Sequence, residues 1–168
     1  MLTDSNQIAT YLKTLGIESG FSIRVTDGST VVDLNNEDNG IVYREPLRVQ
    51  FGRVNGHFSV KGDETTPDTP KTSFVGFPHT ITGCLSLFGS DFKNLSGIDK
   101  EIKFIGQEIV LNNDSTHMLG LLQIGGTGKF DIDRGVLNKI MNKYRDSQDV
   151  LSAQDELLDA GMIEIARF

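Results

Sequence analysis

Phe51-Gly52-Arg53-Val54-Asn55-Gly56-His57-Phe58-Ser59-Val60 is the stretch on which the fold turns. Its second half, Asn55 to Val60, is matched by Thr82-Gly83-Cys84-Leu85-Ser86-Leu87 at a spacing of 27. Each copy has a glycine and then apolar and polar residues in alternation, the pattern of a half-buried strand. Phe77-Pro78-His79-Thr80-Ile81 reads as recurring in Ile98-Asp99-Lys100-Glu101-Ile102 at a spacing of 21. Between them, Phe92 to Ile98 offers Leu95 and Ile98 as inward anchors. Repeats of about 20–29 residues, each with a short strand and an apolar corner, predict a leucine-rich-type solenoid. One coil cannot bury its own apolar edge, so about three or four must stack, with caps at both ends.

The alternation continues outward. Phe21 to Val25 reads as a half-buried strand, followed by the turn dipeptide Asp27-Gly28 and then Val32-Asp33-Leu34. Val32, Leu34, Phe58, Val60, Leu85 and Leu87 are expected to share one core as equivalent positions of successive repeats. Glu64 to Lys71, rich in Thr, Pro and charge, predicts a surface loop. Asn112 to Ser115 predicts a turn, and the apolar run Met118 to Ile124 a fully covered strand.

Both flanks read as helical. Asp4 or Ser5 can cap a first helix whose Ile8, Tyr11, Leu12 and Leu15 form one apolar stripe, with Gly16 as its stop. A second helix is expected from near Asp133, with Val136, Leu137, Ile140, Met141 and Tyr144 inward. A third follows from near Asp149, with Val150, Leu151, Gln154, Leu157 and Leu158 inward and Gly161 as its end. The expectation is an α+β fold: a capping helix in 1–20, a repeat-containing β region in 21–124 and an αα-hairpin cap in 125–168, all in one compact domain. The β region is a short, irregular leucine-rich-type solenoid.

Composition excludes several functions. The 168 residues hold 16 Lys and Arg against 23 Asp and Glu, a net charge of −7 that disfavours direct nucleic-acid binding. The sequence contains no apolar run long enough to cross a membrane. One cysteine, Cys84, permits no intramolecular disulfide and no cysteine-rich zinc site. It is expected as a buried small hydrophobe.

Chemistry-bearing patterns are sparse. Gly125-Gly126-Thr127-Gly128-Lys129 fails as a phosphate loop, because Gln123 and Phe130 stand where that loop needs Gly and Ser or Thr. His57, His79 and His117 fall on three different coils with no acidic ligand at a fixed spacing. No catalytic, cofactor or metal residue is therefore assigned. Six acidic residues lie between Asp146 and Glu164. With Asp63 and Glu64 in the loop, Asp155, Glu156 and Asp159 are the candidate partner-binding residues, suited to a basic surface.

The C-terminal third resembles a family of short early proteins, with leucine-rich-like repeats and largely uncharacterised function, from T-even-type tailed phages and their marine relatives. The resemblance is carried by His117 to Ile124, by Leu137 to Tyr144 with Asn142-Lys143-Tyr144, and by Gln154 to Gly161. Pro78 to Ile98 resembles one of that family's coils, with Thr82-Gly83 and Asn94-Leu95-Ser96-Gly97 at its marks; Asp27-Gly28, Val31 to Leu34 and Phe51 to Gly56 resemble its opening. In all, the likeness covers most of residues 25–168. The family's Asn-rich ladder is mostly missing and residues 61–75 look inserted, which predicts irregular coils. The resemblance implies a non-enzymatic, acidic host-takeover protein in the host cytoplasm. Its partner would be a host protein, a large enzyme complex such as the ATP-dependent protease Lon or RNA polymerase, which it would inhibit or redirect. A DNA mimic that inhibits a nucleic-acid-binding host protein, and an enzyme with an unrecognised site, are the alternatives.

Overall fold

Asp27 and Gly28 both take positive φ, 51° and 75°. This is the backbone that closes a two-residue hairpin in register with strand twist. It joins β1 (Phe21–Thr26) to β2 (Ser29–Leu34) as an antiparallel pair, the only one in the two sheets among the described residues. The computed structural model describes residues 1–35, 38–42, 47–61, 73–90 and 92–168. The expected loop from Glu64 to Lys71, including Glu64, and its neighbour Asp63 lie outside them.

From β2 onward the chain winds through two parallel sheets. β2, β4 (Gln50–Val54), β6 (Thr80–Ile81) and β8 (Phe104–Ile105) lie side by side, with β1 on the outer edge of β2. The second sheet runs β3 (Asp38–Val42), β5 (His57–Lys61), β7 (Leu85–Ser86), β9 (Glu108–Leu111), β10 (Lys129–Ile132). Each coil therefore crosses one sheet, turns a corner and crosses the other, a solenoid-like stacking of about three turns.

Pairing fixes the repeat length. Phe58 pairs with Leu85 at a spacing of 27, as expected. Val54 pairs with Ile81 at that same spacing on the opposite sheet. The expected period of 21 from Ile81 is corrected to 24, since Ile81 lies beside Ile105 and Leu85 beside Ile109. Ile98 instead opens the short helix α2 (Ile98–Glu101) and Ile102 follows it; both are wholly buried. The same apolar spacing serves a strand and a single helical turn, so spacing does not separate the two.

The six expected core residues are all buried, none above 2 % exposed, in one cluster. They are not equivalent, however: Val32 and Leu34 belong to the first sheet, and Phe58, Val60 and Leu85 to the second. The first-sheet partners of Val32 and Leu34 are Phe51 and Val54. Between the sheets stands a run of phenylalanines. Phe51 meets Phe58 edge-on, Phe58 meets Phe77, and Phe74 stacks on Phe92 at 4.9 Å between centroids. Burying each such ring contributes about 1.5–3 kcal/mol. Phe74 thus ties part of the expected 61–75 insertion into the core.

The corners carry stacked glycines. A Cβ on Gly83 would stand 2.6 Å from the carbonyl carbon and oxygen of Gly56, and one on Gly106 would overlap the Thr82 carbonyl. Only glycine lets successive coils approach this closely. Beside them a short asparagine ladder does form, with Asn55 Nδ2 donating to Asn35 Oδ1 at 2.7 Å.

Both flanks are helical. α1 (Ser5–Thr14) is capped by Asp4, whose carboxylate accepts from the Asn6 and Gln7 backbone N–H groups. Ile8, Leu12 and Leu15 are buried. Met118–Ile124 is not the expected strand: Leu119–Gln123 forms a 3-10 helix with Leu119, Leu121 and Leu122 buried. It packs against α2 and against α3 (Gly135–Arg145) and α4 (Val150–Asp159), so its continuous apolarity reflects cover on several sides. An apolar run alone does not distinguish a covered strand from a covered helical turn.

The inward faces of the last two helices are narrower than expected. Leu137, Ile140 and Met141 of α3 are buried, but Val136 is exposed. On α4, Ala153 and Leu157 are buried, while Leu151 and Leu158 face solvent.

Candidate functional site

α4 begins at Asp149, whose side chain accepts from Ser152 N–H and Ser152 Oγ–H. These bonds hold the Asp149 carboxyl below its usual range. Ala153 and Leu157 fix the inner face, so the opposite face must point outward. That face presents Leu151 at 71 % and Leu158 at 45 % exposure, with Asp155 and Asp159 exposed beside them. It is an apolar strip flanked by carboxylates on a helix packed against the 3-10 helix and α3.

Three expected partner-binding acids are thus placed, and they divide. Asp155 and Asp159 make no ion pair among the described residues. Glu156 is occupied within the fold. Its carboxylate accepts from Lys143 Nζ at 2.5 Å and from Tyr144 Oη–H at 2.7 Å, linking α4 to α3. Those hydrogen bonds lower its pKa, and the same ion pair raises that of Lys143. Asp63 and Glu64 lie outside the described residues.

The histidines do not converge. His57 Nδ1 accepts from the Cys84 backbone N–H at 3.0 Å, and His79 Nδ1 lies 2.9 Å from the Glu101 carbonyl. His117, at φ 56°, meets Thr116 Oγ1. Among the described residues no group of three or more His, Cys, Asp or Glu is placed to hold a metal ion. Cys84 departs from expectation: it is half-buried because Leu85 takes the inward position. Its thiol faces Gln107 and Glu108, and partial burial, assisted by the Glu108 charge, raises its pKa. No helix among the described residues is long and apolar enough to cross a membrane.

A second feature escaped sequence reasoning. A groove of about 500 Å³ lies between the Asp114–Thr116 turn and the Gly161–Arg167 tail, with Arg134 on its wall. Its members come from three distant stretches, so no local motif announces it.

Comparison with protein-family models, with curated proteins and with solved structures gives no match.

Proposed function

We propose that the chain is a non-enzymatic binding module, a host-takeover protein of the T-even-type phage family it resembles, acting in the host cytoplasm by occupying a large host enzyme. Lon and RNA polymerase are the candidate targets. The carrying observation is the outward face of α4, where Leu151 and Leu158 stand in solvent beside Asp155 and Asp159. Apolar contact with an acidic rim suits a basic protein surface with an apolar centre. The net charge of −7 favours the same class of partner. A stacked solenoid suits this role, since it offers rigid side faces that need no pocket.

The same reading takes the coils as leucine-rich in type, with Leu95 and Ile98 as the buried corner of one coil. It takes α3 and α4 as an αα-hairpin closing the C-terminal end of the stack. Their direct contact and the Lys143–Glu156 bond support this.

Purified Lon peptidase activity and RNA polymerase transcription are to be assayed with the wild-type chain and with L151S/L158S. Inhibition of one enzyme by the wild type, lost at least tenfold in a variant of unchanged Tm, is expected. Failure to inhibit either enzyme refutes the target assignment. Equal inhibition by the variant refutes the α4 surface.

A further inference from the structure

β1 ends the first sheet: among the described residues no strand lies on its outer side. The hairpin closes on the Thr26–Ser29 pair, and Asn35 N–H donates to Gly20 O at 2.6 Å. Bonded and unbonded positions alternate in an antiparallel pair, so Ser22, Arg24 and Thr26 turn their N–H and C=O groups to β2. Phe21, Ile23 and Val25 turn theirs to the open side.

Open edges are commonly guarded by proline, by lysine or by a bulge. β1 has no proline, lysine or acid, and its register with β2 is continuous. Its one charge is drawn away from the edge. The Arg24 guanidinium donates to the Asp33 carboxylate on β2 and to Thr26 Oγ1. It reaches so far across the sheet that a Cβ on Gly52 of β4 would stand 2.8 Å from its Nη2. On the other face Phe21 and Ile23 are half-buried, and Val25 is left 71 % exposed. The surrounding segment does not share the net charge. Residues 1–26 hold two acids, Asp4 and Glu18, against two bases, Lys13 and Arg24, so the −7 belongs to the rest of the chain.

We propose that β1 pairs with β1 of a second copy of this chain, antiparallel about a two-fold axis through Ile23. A two-fold interface must be self-complementary, and this strand is. Phe21 faces Val25 of the second copy, Ile23 faces its own counterpart, and every outward N–H and C=O group of both strands gains a partner. The exposed Val25 gains an aromatic neighbour across the strands, a pairing that stabilises sheets. Arg24 falls opposite Ser22 of the second copy, so no like charges meet. A slip to the next bonded register leaves Val25 or Phe21 without a partner. This surface is separate from α4, and the pairing does not rest on the partner-binding reading.

The test is sedimentation equilibrium across a concentration series, with amide hydrogen exchange on the same samples. A mass of twice the chain's 18.5 kDa is expected at the upper end. The Phe21, Ile23 and Val25 amides should become protected only as the dimer forms. Those of Arg24 and Thr26, already bonded to β2, should be protected throughout. Ile23→Pro removes an outward N–H that β2 does not use and should abolish the dimer. Val25→Lys changes an exposed side chain; it should weaken the dimer at least tenfold and leave the Tm of the monomer unchanged. A chain that stays monomeric at millimolar concentration overturns the self-pairing and leaves the edge to a strand of another polypeptide. A dimer in which the three outward amides still exchange freely overturns the use of β1. A Val25→Lys chain that dimerises as tightly as the wild type overturns the register.

Discussion

The Arg145 guanidinium, on a residue only 3 % exposed, faces carbonyl oxygens rather than a carboxylate. Its Nε–H donates to Gly128 O at 2.7 Å, and one terminal nitrogen donates to Ile124 O at 2.6 Å, with longer approaches to Leu121, Leu122 and Gly125. Burial lowers its pKa, yet an arginine so placed stays charged. The carbonyls belong to the end of the 3-10 helix and the glycine corner after it; Leu121 O and Gly125 O also accept from the Ile124 and Ile105 backbone N–H groups, and Arg145 adds its donors to Ile124 O and Gly128 O. Arg145 therefore locks the last coil to α3. Arg145→Met should cost about 3 kcal/mol or more, since buried acceptors lose a charged donor. Arg145→Lys, which keeps the charge but not the fork, should cost less. Urea unfolding checks this: the midpoint falls in the order wild type, lysine, methionine. Equal midpoints would show that the carbonyls find other partners. No local sequence pattern marks Arg145 for this role, because its partners lie in a different segment.

α3 meets the last coil through side chains that act on backbone. β10 is the outer strand of its sheet, and an outer strand exposes unpaired N–H and C=O groups. Asn142 of α3 answers one such pair: its Oδ1 accepts from Phe130 N–H at 2.8 Å and its Nδ2 donates to Phe130 O at 2.9 Å. Helix type and position in this region were legible, because caps and apolar spacing are local. Burial was less so. Val136, Leu151 and Leu158 fit the helical stripe but face solvent, since each helix buries only a narrow seam. The repeat was legible at Gly56–Val60 and Gly83–Leu87, where glycine corners and alternation coincide. It was lost at Ile98–Ile102, where a helical turn carries similar apolar spacing. The Glu156 bond between α3 and α4 makes stability depend on pH. Its folded pKa is lowered, so its contribution is complete above the ordinary carboxylate value of about 4.3 and is lost as pH falls through the lowered value. Glu156→Gln should lower Tm near neutrality and flatten the acid limb, so that both proteins melt together in strong acid. Parallel Tm curves for the two proteins down to about pH 2 would remove Glu156 from the linkage.

For the molecule as a whole, one buried cluster runs from Ile8 in α1 to Ala166 in the tail. The net charge of −7 should speed encounter with a basic partner over distances comparable with the screening length, about 8 Å at physiological ionic strength. Of the acids expected to steer, Glu156 is engaged with Lys143 and Tyr144, which leaves Asp155 and Asp159 as the described candidates. Asp155→Asn with Asp159→Asn should slow association several-fold at low salt and reduce its salt dependence. Dissociation and Tm should change little, because exposed charges contribute at most about 1 kcal/mol. Glu156→Gln should act differently, through the joint between the helices, and lower Tm. Stopped-flow association with whichever of Lon and RNA polymerase the chain inhibits, across a salt series, separates the two behaviours. If the double variant associates at the wild-type rate at every salt concentration, steering does not run through α4, and the apolar pair Leu151 and Leu158 carries the contact without it. If Glu156→Gln slows association as strongly while Tm is unchanged, the Lys143–Glu156 bond yields to the partner in the complex, and Glu156 rejoins the contact surface.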